Sequence, residues 1–148
     1  MFGNRRTSEP AMNALMQIRL LWFAGAIQAG IVLVNGILPG RLRVLDSMRP
    51  VPTFIRQIFY VHWIYIVIVL GMFTGLCFGF APELAGGSAL GWFLSAFLCA
   101  FWLLRIVLQI VYYDHEIRRE NRVLDSLYLM SLAVLVGVFG IATIGGAK

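Results

Sequence analysis

In the third of four long apolar runs stands Arg105, followed by Gln109, Tyr112 and Glu116 at offsets of four, seven and eleven residues. On a helix those offsets fall on one face. An arginine near the centre of a bilayer costs roughly 2.5–3.5 kcal/mol even on the lenient insertion scale, so it must turn away from lipid. Gln28 and Asn35 share a face of the first run, and His62 lies in the second run at nearly the depth of Asn35 and Gln109. Gln28, Asn35, His62, Arg105, Gln109 and Tyr112 are therefore the candidate polar cluster.

Three chemistries fit these residue types. The amides and imidazole can serve as interhelical hydrogen bonds of about 1 kcal/mol each, with Arg105 reaching toward the interface. Arg105 can supply charge, and Gln109, Tyr112 and His62 hydrogen bonds, to an anionic group such as a lipid phosphate. Arg105 can also pair with a carboxylate on another subunit. The first reading is preferred because it needs nothing beyond the chain itself.

Catalytic and cofactor chemistry finds little support. A haem iron would need both His62 and His115, which the helical rise places on opposite sides of the membrane boundary. Asp114, His115 and Glu116 are consecutive, so on a helix they point in different directions and make a poor metal site. Cys77 and Cys99 lie inside apolar runs and form no CxxC pair; no G-x-S-x-G is present. No Asp or Glu sits deep in an apolar run, as a proton-coupled small exporter would require. No catalytic residue, metal or cofactor is expected, haem and quinone being the groups weighed.

The elements that must position these residues are transmembrane helices. Of 148 residues, 60% are hydrophobic and 13% charged, with a mean hydropathy of +0.84, far from the roughly 25% charged residues of soluble domains. Runs over 20–38, 57–79, 91–113 and 127–144 are each about 20 residues, enough to cross ~30 Å of hydrocarbon. The first begins too late, and is too long, for a secretory signal, so it reads as a retained helix after a short tail, 1–19. The fold class is an all-α integral membrane protein: four transmembrane helices in one antiparallel bundle, forming a single membrane domain.

Charge gives orientation and partners. The connections 39–56 and 114–126 hold Arg41, Arg43, Arg49, Arg56, Arg118, Arg119 and Arg122, whereas 80–90 holds no basic residue. By the positive-inside rule the two arginine-rich connections are cytoplasmic and both termini outside. Eleven of the twelve basic residues are arginine, a bias of GC-rich coding that suggests a bacterial cytoplasmic (inner) membrane. Basic residues flanking apolar spans meet anionic lipid, so nucleic acid is not an expected partner.

Local signals shape the connections. Pro39-Gly40 reads as a stop for the first helix, and Leu42, Leu45 and Met48 as one face of a short interfacial helix. Thr53 and Asp125 are placed to cap the second and fourth spans, and the third span is expected to continue as a helix to about Arg122. Gly71, Gly75 and Gly79 on the second span, and Gly91, Ser95 and Cys99 on the third, form two small-residue stripes. They predict a tightly packed hairpin of these spans, with Gly79 beside Gly91, Gly75 beside Ser95 and Gly71 beside Cys99. Leucine at position 75 would split it.

The functional expectation is a small membrane protein without catalytic activity of its own, an accessory or scaffolding subunit. Its partners are the lipid bilayer and other membrane subunits or a second copy. The alternative is a binding or transport protein holding an anionic lipid, quinone or haem around Arg105.

Overall fold

A computed structural model describes residues 8–41, 46, 48–112 and 122–146. Five helices run through them: α1 (Ser8–Arg41), α2 (Thr53–Gly79), α3 (Ala81–Ala85), α4 (Ala89–Tyr112) and α5 (Arg122–Gly146). All but α3 are long and apolar enough to cross a membrane, with candidate spans of 24 to 27 residues. At 1.5 Å per residue these reach about 36–40 Å, more than the ~30 Å of hydrocarbon.

The outward faces carry large apolar side chains, among them Leu33, Phe54, Met72, Phe93 and Ile144, each more than half exposed. Such faces suit lipid. Inward positions recur at three and four residues: Leu21, Ala24, Gln28 and Ile31 on α1; Leu70, Phe73 and Cys77 on α2; Leu98 and Trp102 on α4; Leu132, Leu135, Phe139 and Ala142 on α5. That spacing is one stripe of a helix turned to a common core.

α1 does not stop at Pro39-Gly40 but continues to Arg41. Proline has no N–H, so the carbonyl of Asn35, four residues earlier, loses its helical donor. The indole Nε1 of Trp63 on α2 donates to that carbonyl at 2.9 Å. The break is thus repaired from the neighbouring helix, and α1 passes through it.

The expected caps move too. No side chain caps α2; the carbonyl of Pro52 accepts from the N–H of Arg56 at 3.1 Å, and Thr53 is already helical. Asp125 lies within α5. Ser88 is the cap the sequence reading passed over: its Oγ accepts from the N–H of Gly91 at 3.0 Å at the start of α4. Gly87, with φ of 70°, makes the turn out of α3 in a conformation other residues adopt at a cost. The interfacial helix expected around Leu42, Leu45 and Met48 falls largely outside the described residues; within them, Asp46 and Arg49 form an ion pair of 3.0 Å. The expected continuation of the third span also lies outside them.

The broadest helix interfaces are α4 with α5 and α1 with α2; α1 also packs on α5, and α3 touches all four long helices. Gly25 of α1 faces α2 so closely that a Cβ there would stand 2.9 Å from Cys77 Cβ. The expected glycine-to-glycine hairpin between the second and third spans is not formed. Gly71, Gly75 and Gly79 are exposed, with nothing within 4 Å of where a Cβ would stand. α2 meets α4 instead through Phe73, whose ring lies 6.1 Å from Phe97 and 5.0 Å from Phe101. Bulky rings hold the backbones apart, so a flat glycine face has nothing to contribute there. The stripe on α4 is used, but by other neighbours. Gly91 lies against the Glu83 carbonyl of α3, Ser95 Oγ donates to the Leu84 carbonyl at 3.3 Å, and Cys99 Sγ approaches the Val136 carbonyl of α5 at 3.6 Å.

Candidate functional site: a polar junction between α4 and α5

Arg105 and Gln109 stand one turn apart on α4, and the guanidinium Nη1 donates to Gln109 Oε1 at 3.0 Å. Gln109 Nε2 in turn donates to Asp125 Oδ1 on α5 at 2.9 Å. Arginine can only donate and an ionised carboxylate only accept, so this is the amide orientation that serves both. Asp125 and Tyr128 are three residues apart and share a face of α5. The Tyr128 ring lies under the guanidinium, 5.4 Å from its centroid to Cζ, within cation–π range. Gln109 is buried, while Arg105, Asp125 and Tyr128 are half-buried.

Positive and negative charge are thus joined through a neutral amide. Each bond is charge-assisted, the stronger kind in a low-dielectric setting. The arrangement ties α4 to α5 near the ends facing the arginine-rich connections. Among its members there is no nucleophile with an adjacent base.

The other sequence candidates are elsewhere. Asn35 Nδ2 donates to the Ile31 carbonyl of its own helix at 2.8 Å, and its backbone carbonyl takes the Trp63 indole. His62 is exposed, with Nδ1 at 2.9 Å from the Ile58 carbonyl. Tyr112 is 81% exposed. The cluster expected from six residues is therefore an α4–α5 junction containing two of them, and a separate α1–α2 contact made through Asn35. Gln28 is wholly buried, yet neither amide atom has a partner among the described residues; nor has the indole nitrogen of Trp102.

Two members of the junction were missed from sequence. The sequence places Asp125 only as a cap and leaves Tyr128 outside the candidate cluster. Their shared face, one turn inside the fourth span and mirrored by Arg105 and Gln109 across the connection, was the available signal. Among the described residues no group of three or more His, Cys, Asp or Glu side chains could hold a metal ion. His115 lies outside those residues.

No known protein family matches the chain, and no curated protein or solved structure is significantly similar to it.

Proposed function

We propose that the chain is a non-catalytic, accessory or scaffolding subunit of a membrane complex. It stands in a bacterial inner membrane as an antiparallel four-span bundle, with both termini outside and the connections 39–56 and 114–126 on the cytoplasmic side. One observation carries the reading: Arg105, the group best suited to attract a ligand, is bonded to Gln109 and stacked on Tyr128, and Gln109 completes the link to Asp125. Its charge serves to join two helices. The open glycine face of α2 leaves room for the close approach of another membrane helix, from a partner subunit or a second copy.

The competing reading places an anionic lipid, quinone or haem at Arg105. Native mass spectrometry of protein gently extracted from its own membrane, with an absorption spectrum of the same sample, separates the two. A partner subunit or second copy at fixed stoichiometry is the expected result. A stoichiometric quinone, anionic lipid or haem that is lost on Arg105→Leu would overturn it.

A further inference from the structure

Where α3 is inserted between the second and third spans, the bundle opens sideways into a cavity of about 320 Å³. Leu76 and Phe80 of the α2 end, Leu84 of α3, and Leu90 and Leu94 of α4 give it an almost wholly hydrocarbon wall. Its size is at the lower limit of small-molecule sites. Water gains little from such a wall, and an unfilled groove would forgo dispersion contact along every lining side chain. In a bilayer the molecule at hand with the right chemistry is an acyl chain.

The rim narrows the choice of headgroup. Glu83 on α3 is exposed at the groove and is the sole Asp, Glu, Lys or Arg between Arg56 and Arg105. Among the described residues it pairs with no arginine. The Ser88 hydroxyl, also at the groove, is occupied by the N–H of Gly91. The rim therefore offers a negative charge to whatever headgroup stands above the groove.

We propose that this groove holds one acyl chain of a phospholipid whose headgroup carries a primary ammonium, with the ammonium against Glu83. The site is separate from the Arg105 junction, and its headgroup preference is opposite to that of the anionic lipid weighed there. An exposed ion pair contributes modestly, so discrimination between an ammonium-bearing and an anionic headgroup should be about two- to fivefold in affinity.

The test is native mass spectrometry of the full chain in detergent, titrated separately with dioleoyl phosphatidylethanolamine and dioleoyl phosphatidylglycerol. One phosphatidylethanolamine adduct should form at the lower lipid concentration, and Glu83→Gln should bring the two lipids to equal binding. Leu94→Trp, which puts an indole in the groove, should remove that adduct while circular dichroism shows an intact helical fold. Should that variant not fold, Leu90→Trp makes the same test from the outer edge. Equal binding of both lipids by the unaltered chain overturns the proposal. So does a preference that survives Glu83→Gln, or an adduct undiminished in a folded tryptophan variant.

Discussion

Alanine at two glycines, Gly91 and Gly75, should have opposite consequences, and the contrast tests how the third span is packed. A Cβ on Gly91 would run into the Glu83 carbonyl oxygen and stand 3.0 Å from both the Glu83 carbonyl carbon and Ser88 Oγ. The obstacle is α3 backbone, so the helix must move rather than a side chain rotate. Overpacking of this kind costs about 1–3 kcal/mol, and displacing α3 also strains the Ser95 bond to Leu84, worth about 1 kcal/mol. Alanine returns up to ~1 kcal/mol in helix propensity, leaving a net loss of about 1–3 kcal/mol. At Gly75 nothing lies within 4 Å, so alanine there should be neutral or stabilise by up to ~1 kcal/mol. Reversible unfolding in mixed micelles of dodecyl maltoside and SDS, followed by circular dichroism, measures both. If Gly75→Ala proved the more damaging in the monomeric chain, the glycine face of α2 would be packed within the bundle and the loose α2–α4 seam would be wrong.

The same unfolding assay checks three further expectations. Gln109→Leu removes both bonds of the Arg105–Gln109–Asp125 chain and should cost about 2 kcal/mol, interhelical bonds in membranes averaging well under their value in isolation; no loss would mean that the junction does not hold α4 to α5. Trp63→Phe should cost about 1 kcal/mol by stranding the Asn35 carbonyl, and Pro39→Ala should recover most of it in that background by restoring the helical N–H donor, whereas independent, additive effects would refute the repair. Gln28→Leu should stabilise by about 1–2 kcal/mol because two buried, unpartnered amide atoms disappear, and a clear destabilisation would reveal a hydrogen-bonding partner for that side chain in the membrane.

What could be read from sequence divides along physical lines. The four spans were legible because their apolar runs exceed the bilayer thickness, a constraint that acts within each segment. The same holds for Arg105 with Gln109, one turn apart on one face. Gly91, Ser95 and Cys99 form a small-residue stripe, and such a stripe says that something approaches without saying what. Here α3 and α5 take the place assigned to α2. The signal for α3 was present in Ala81-Pro82-Glu83-Leu84-Ala85, with proline and an acid in its first turn. Reading 80–90 as a plain connection hid the buried Ala81 and Leu84, which turn it into part of the core. Pro39 misled for a different reason: whether proline ends a helix depends on whether another donor reaches the freed carbonyl, and Trp63 lies in a different span.

These contacts divide the bundle into firm and loose seams. α4 and α5 are tied at one end by Arg105, Gln109, Asp125 and Tyr128, and nearer the middle by Cys99 at the Val136 carbonyl. α1 and α2 are joined by Trp63 at the Asn35 carbonyl and by the close approach of Gly25 to Cys77. Between α2 and α4 there is a cluster of aromatic rings and little else, with no hydrogen bond among the described residues. Directional bonds resist separation, whereas ring contacts can be exchanged for contacts with lipid or another helix at small cost, since lipid is as apolar as the rings. The α2–α4 seam is therefore where a guest can enter without breaking the fold. It carries the acyl-chain groove at the α3 end, and toward the other end His62 and Ile66, eleven and seven residues before Phe73 and so on its face of α2, are exposed.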